Sequence, residues 1–377
     1  MAPILPIPGV FPPPNFPPRN ANSRSPIASP RLNNGPVPFS RPFHPIFPMK
    51  GLLPLPVALL ALLIFAGCSK APEQGGAENK TTEGAWKIAV IPKGTTHIFW
   101  KSVEAGARKG GQETGAEILW KGPLKESDRA QQIAIVEQFI SDGVKGIVLA
   151  PLDDTALRRP VEAAKAKGIP VVIVDSALKG EAGQDFVSYV GTNNRLGGKM
   201  AAEEMTRLLG GKGKVLLLRY QEGSASTIAR EEGFLEEIKK SPEIHMLAEN
   251  RYGGATASEA QTTAMNMIDL VREADGIFCS NESLTFGMLL ALRNSNLTGK
   301  AKFVGFDASD PLVEALKKGE IQALVAQNPT KMGEEAVKTL VAHLHGEKVP
   351  PSVDSGVALV TPANIGAPEI QELLKPR

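Results

Sequence analysis

A chain of 377 residues is long enough for two domains, and an apolar content of 42% with near-zero mean hydropathy describes a soluble globular body. The formal charge of +2 is unevenly spread: four arginines and Lys50 lie in residues 1–67 with no acid, and without them 37 basic residues face 40 acidic ones, a balance of −3. That balance excludes a nucleic-acid polyanion as the expected partner. The two cysteines, Cys68 and Cys279, exclude a disulfide framework. His343 and His345 are two apart and would point away from each other on a helix. No metal and no cofactor is therefore expected.

Residues 1–48 hold 15 of the 31 prolines and no lysine or acid. Such a stretch cannot build a core, reads as Pro-rich and disordered, and is a candidate for not being translated. Met49-Lys50 then precede an apolar run, GLLPLPVALLALLIFAG, that ends on Cys68. A short positive start, a run of signal-peptide length and small residues before a cysteine resemble a bacterial lipoprotein signal over 49–67. The resemblance implies that Cys68 is the lipidated amino terminus, anchored to a membrane, and that residues 68–85 form a polar tether.

From Trp86 onward, apolar runs alternate with amphipathic segments. Buried parallel strands are expected at 87–91, 118–120, 146–150, 171–174, 187–190, 215–218, 244–247, 277–279, 303–306 and 323–326. Helices are expected at 102–113, 129–140, 196–209, 258–271 and 331–345, many closed by glycine (Gly115, Gly143, Gly168, Gly210, Gly299, Gly346). Ten strands exceed what one compact sheet of this type usually carries, so the pattern predicts an α/β fold of two Rossmann-like lobes facing a cleft.

Open parallel sheets place ligands at the carboxyl ends of their strands. The first strand leads into Lys93, His97, Phe99 and Trp100, the fourth into Asp175-Ser176, and later ones into Arg219, Tyr252 and Ser280-Asn281-Glu282, then Asp307 and Gln327. Arg230 lies early in a helix beginning near Ser224. Carboxylates, a guanidinium fork and amides grip vicinal hydroxyls, and flat aromatic rings cover sugar C–H faces. The expected ligand set is Lys93, His97, Phe99, Trp100, Asp175, Ser176, Arg230, Asn281, Asp307 and Gln327. No catalytic residue is assigned: GxSxG and Walker motifs are absent, and Gly210-Gly211-Lys212-Gly213-Lys214 joins a helix to a strand, the wrong order for a phosphate cradle.

The ordered series GVKGIVLAPLDD, GIPVVIVDS, YVGTNNRLGGKMAAEEM, AREEGF, SNESLTFGMLLAL, FVGFDASD and VAQNP resembles the ribose-binding-like periplasmic receptors of ABC transporters, with the type I fold. The resemblance implies an aromatic wall of Phe99 and Trp100 and a polar clamp of Asp175, Arg230, Asn281, Asp307 and Gln327. It implies three hinge crossings, near Thr192, Gln327-Asn328 and Ser355-Gly356. The lobes would then be 86–191 plus 328–356 and 192–327 plus 357–377. Ser176 stands where ribose receptors carry Arg, and His97 where they carry Asn. IPKGTTHIFW and WKGP are similar to the autoinducer-2 and rhamnose receptors, in which the lysine at Lys93 touches ligand. The expectation is a monomeric, non-enzymatic sugar or polyol receptor on the periplasmic side of the envelope, delivering to a permease. A sensory receptor and, less favoured, a carbohydrate-acting enzyme are the alternatives. A lactose-repressor-type regulator would need a helix-turn-helix where the lipid signal stands.

Overall fold

The computed structural model describes residues 84–375. Cys68, the apolar run before it and the Pro-rich start lie outside the described residues. Among the described residues, twelve strands form two sheets of six. The first contains β1 (Lys87–Ile91), β2 (Glu117–Trp120), β3 (Gly146–Leu149), β4 (Val171–Val174), β5 (Ser188–Gly191) and β11 (Ser352–Asp354), in the order β11-β5-β4-β3-β1-β2 and parallel throughout. The second contains β6 (Lys212–Arg219), β7 (Glu243–Tyr252), β8 (Gly276–Cys279), β9 (Lys302–Phe306), β10 (Ala323–Gln327) and β12 (Val357–Val360), in the order β12-β10-β9-β8-β6-β7. Only β12 runs antiparallel to its neighbour.

Period-two alternation within each run divides the core into four layers. Ile88, Val90, Val148, Val172 and Val174 face α1 (Ile98–Thr114) and α10 (Pro329–Leu344). Ala89, Ile91, Ile147, Leu149 and Ile173 face α2 (Arg129–Ser141) and α3 (Arg158–Ala166). In the second sheet, Val215, Leu217, Phe278, Val304 and Val325 pack under α4 (Asn194–Leu209) and α5 (Ala225–Ile238). Leu216, Leu218, Ile277, Phe303 and Leu324 pack under α6 (Ala257–Asn266), α7 (Ile268–Glu273), α8 (Glu282–Asn294), α9 (Asp310–Lys317) and α11 (Pro368–Leu374). Full burial of each such aliphatic side chain contributes about 1.5–3 kcal/mol.

Among the described residues, three helix pairs cross at backbone contact, α6 and α8 among them through Gly287 and the Ala257 carbonyl. A Cβ on Gly106 of α1 would stand 1.9 Å from the Thr330 carbonyl of α10, and one on Gly198 of α4 equally close to the Arg230 carbonyl of α5. The crossing of α4 and α5 fixes the helix that carries Arg230.

The chain passes between the sheets three times. It leaves β5 through Thr192-Asn193 for α4, returns from β10 through Asn328 into α10, and crosses again at Ser355-Gly356 between β11 and β12. Two of the crossings are tied together: the Thr192 hydroxyl lies 3.3 Å from both the Ser355 hydroxyl and the Gly356 carbonyl, and Ser355 N–H donates to Gly191 O at 2.9 Å.

Three local expectations are corrected. β11 and β12 add to the ten expected strands; they are short, and Pro350-Pro351 precedes them. β7 extends to Tyr252, well beyond 247. The helix expected over 258–271 breaks at Met267 (φ −116°, ψ 30°) into α6 and α7, and a Thr256–Glu259 capping box sets its start.

Candidate ligand-binding site

The carboxyl ends of the strands in both sheets face one cavity, with about 340 Å³ of atom-free space including the part open to solvent. Lys93, His97, Phe99, Trp100, Glu126 and Asp175 line it from the first sheet; Tyr220, Ser226, Thr227, Arg230, Asn281, Glu282, Asp307 and Gln327 line it from the second. The structure therefore brings together every expected ligand residue except Ser176. That side chain sits behind the wall, where its hydroxyl accepts from Ser226 N–H at 3.2 Å. Arg219 and Tyr252, also at strand ends, stand apart. Arg219 binds Glu231 at 3.2 Å, and Tyr252 is exposed.

Each wall residue is held by its neighbours. Lys93 Nζ lies 3.1 Å from Asp175 Oδ2, 3.3 Å from Ser224 Oγ and 3.0 Å from Ser226 Oγ, which matches its three protons. Both members of this ion pair are nearly withdrawn from solvent, at 3% and 4% exposure. Arg230 donates from Nε to Asn194 Oδ1 (2.7 Å) and from Nη1 to Ser280 O (3.1 Å), and its guanidinium lies 4.0 Å from the Phe306 ring centre. Asn281 caps α8 through its Oδ1, which accepts from Leu284 N–H at 3.1 Å. Asp307 accepts from Gln327 Nε2 at 2.7 Å and from Glu282 N–H at 2.8 Å. Burial raises the pKa of Asp307, with Arg230, Gln327 and the Glu282 amide opposing.

Glu126 is the hub of the first sheet's wall. Its Oε1 lies 2.6 Å from His97 Nδ1 and accepts from Trp100 Nε1 at 2.7 Å, while Oε2 accepts from the Tyr220 hydroxyl at 2.9 Å. Burial pushes this carboxyl up, but His97, Lys93 and the Trp100 donor outweigh burial and hold it at about 2. Burial likewise works against the His97 charge, and Glu126 outweighs it, so the pKa of the imidazole is raised. Trp100 is thereby locked edge-on to Phe99, with ring centres 5.0 Å apart.

Among the described residues, one buried side-chain polar atom in the wall lacks a mate. The Gln327 side chain is 5% exposed, and its Oε1 has no hydrogen-bond partner among the described residues. A buried carbonyl of this kind calls for an incoming O–H or N–H donor. No cluster of ligating side chains suited to a metal ion occurs among the described residues.

Residues 88–348 match the family described as the periplasmic binding protein domain. The chain belongs to that family. Among curated periplasmic binding proteins it is 30% identical, over 70% of its length and 87% of the relative's, to a ribose import binding protein of Haemophilus influenzae. It is 28% identical, over 71% and 87%, to the D-allose-binding periplasmic protein of Escherichia coli. Of solved structures, an ABC transporter solute-binding protein from Agrobacterium vitis with bound D-fucose superposes with a TM-score of 0.74 at 34% identity, covering 77% of this chain and all of that one. A carbohydrate transporter solute-binding protein from Agrobacterium radiobacter in complex with D-arabinose gives 0.73 at 33%, covering 78% and 100%. The two-lobe α/β architecture is that of a type I periplasmic binding protein.

Sequence reasoning on this periplasmic binding protein passed over Glu126, Tyr220, Ser226, Thr227 and Glu282 as wall residues. Glu126 lies between β2 and α2 in a loop with no periodic pattern. Tyr220 follows Arg219 directly, and the charged neighbour is the more conspicuous signal at that strand end. Glu282 stands beside the capping Asn281, where an acid reads as a helix-dipole partner.

Proposed function

We propose that this protein captures one monosaccharide or similarly small polyol between its lobes and hands the closed complex to an ABC transporter permease without doing chemistry on the ligand. The observation that carries the reading is the convergence of Asp175, Arg230, Asn281, Asp307 and Gln327, drawn from two separate sheets, on one small cavity in which the Gln327 carbonyl lacks a donor. Hydrogen bonds to charged groups contribute about 1.5–3 kcal/mol each, so three or four, net of ordering, support micromolar or tighter binding. The names of the relatives, receptors for ribose and allose and proteins holding D-fucose and D-arabinose, support the same ligand class.

In this reading the lobes are 86–191 plus 328–356 and 192–327 plus 357–377, and the three crossings act as the hinge. The mature protein begins at a lipidated Cys68 and works as a monomer on the periplasmic side of the membrane. The autoinducer-2 and rhamnose-type alternative relies on Lys93 touching ligand; three protein partners around Lys93 Nζ favour the ordinary sugar reading. Thermal-shift screening against pentoses, hexoses, deoxysugars, inositols and autoinducer-2 tests the proposal. A rise in Tm with a pentose or hexose is expected. A flat response to all sugars, or turnover of any of them, overturns it.

A further inference from the structure

Beside the ligand cavity lies a second chamber, walled by Ile98, Ser102, Ser309, Pro329, Leu373 and Leu374 among others, with about 960 Å³ of atom-free space including its opening to solvent. Phe99, Glu282, Asp307 and Gln327 line both spaces. These four are bonded end to end. Phe99 N–H donates to Glu282 Oε2 at 3.3 Å, Glu282 N–H to Asp307 Oδ2 at 2.8 Å, and Gln327 Nε2 to Asp307 Oδ1 at 2.7 Å. The partition is thus one hydrogen-bonded string. Its longest bond, Phe99 to Glu282, is also the only one of the three that joins the two lobes.

The spaces on either side differ in chemistry. Charged and amide groups dominate the first, whereas the second is mixed, with Ile98, Pro329, Leu373 and Leu374 forming an apolar side beside Lys101, Asp310 and Lys375. A sugar ring suits the first and an apolar substituent on that ring suits the second. Within this partition the Glu282 carboxyl, in the first turn of α8, is the side chain that reaches the Phe99 amide of the other lobe.

We propose that Glu282, closing on the Phe99 amide, limits the ligand to a single sugar ring, and that the chamber behind it is a second subsite that accepts the apolar group of a glycoside once this wall is cut back. The proposal rests on the sugar reading above and adds the element that sets ligand length. Discrimination of this kind is built by obstruction and not by attraction.

Isothermal titration of wild type, Glu282→Ala, Glu282→Asp and the double variant Glu282→Ala with Ile98→Trp tests it, using D-fucose, D-arabinose, D-ribose and D-allose and the α- and β-phenyl glycosides of each. Wild type is expected to bind at least one free sugar and to bind its phenyl glycosides about a hundredfold more weakly. In Glu282→Ala the gap should narrow by about tenfold or more, even as the free sugar weakens a few-fold from loss of the interlobe bond. Glu282→Asp should fall between. In the double variant, the indole introduced by Ile98→Trp fills the chamber from its exposed edge and should restore the gap. Equal binding of free sugar and phenyl glycoside by wild type overturns the proposal, as does an unchanged gap in both single variants with unfolding curves like wild type. Failure of wild type to bind any free sugar instead overturns the sugar reading on which it stands.

Discussion

Asp175 and Asp307 occupy equivalent places in the two sheets. Each follows the third strand of its sheet, β4 or β9, and each has a left-handed backbone, φ 63° and 70°. Each donates its backbone N–H to the next strand, to Val190 O at 3.0 Å and to Val325 O at 2.8 Å. Asp and Asn tolerate this region best among residues with a Cβ. The two carboxylates therefore face the cavity from opposite sides through the same turn.

Asp307→Asn keeps that turn and removes the charge. Sugar affinity should fall by about tenfold or more, measured by titration calorimetry. Stability should change by less than about 1 kcal/mol, because one lost acceptor is offset by relief from burying a carboxylate. Unchanged affinity would remove Asp307 from the ligand shell.

Tyr220 and Glu126 form a bond between lobes that needs no ligand. Tyr220→Phe and Glu126→Gln should each weaken sugar binding, and the double variant should lose less than the sum, with a coupling of about 1–2 kcal/mol. Full additivity would show that the bond contributes nothing to the bound state.

The His97–Glu126 pair predicts a bell in stability against pH. The raised pKa of His97 supplies stability that is complete below its ordinary 6.5 and is lost as pH climbs through the folded value. Glu126, depressed from 4.5 to about 2, supplies stability that is complete above 4.5 and is lost as pH falls toward 2. Glu282 and Asp307, both raised chiefly by burial, act in the other sense from Glu126: their contribution is complete below their ordinary 4.5 and 3.8 and is lost as pH climbs through the raised folded values. Tm should peak between about pH 4.5 and 6.5, and His97→Asn should remove much of the decline above that window. An identical alkaline limb in the variant would assign the decline elsewhere.

Gly198→Ala places a methyl 1.9 Å from the Arg230 carbonyl. Overpacking at this crossing should cost about 1–3 kcal/mol in urea unfolding and, by shifting α5, weaken sugar binding as well. Wild-type affinity in a destabilised variant would separate the helix position from the site.

The strand-end residues were legible because a buried parallel strand announces itself as an apolar run, and its next polar residue marks the ligand edge. Asp175, Asp307 and Gln327 each stand one step beyond such a run. Glu126 was not legible, since its partners His97, Trp100 and Tyr220 are 26 to 94 positions away and meet only through the sheet order. β11 was hidden for a related reason: its three residues pair with β5 from more than 160 positions downstream. Local pattern reports elements and their edges; which loops converge is decided by topology.

The return of the chain into the first sheet has a consequence for the order of assembly. α10 and β11 complete that sheet's faces and edge, yet they are synthesised only after β10, when nearly the whole of the other half has emerged from the ribosome. Until residue 354 is made, β5 remains an open margin and the valines of β4 lie bare on the side that α10 covers. The earlier-made half thus stays open until most of the later-made half exists, and a nascent chain halted before α10 carries an unfinished sheet toward the cell's folding machinery.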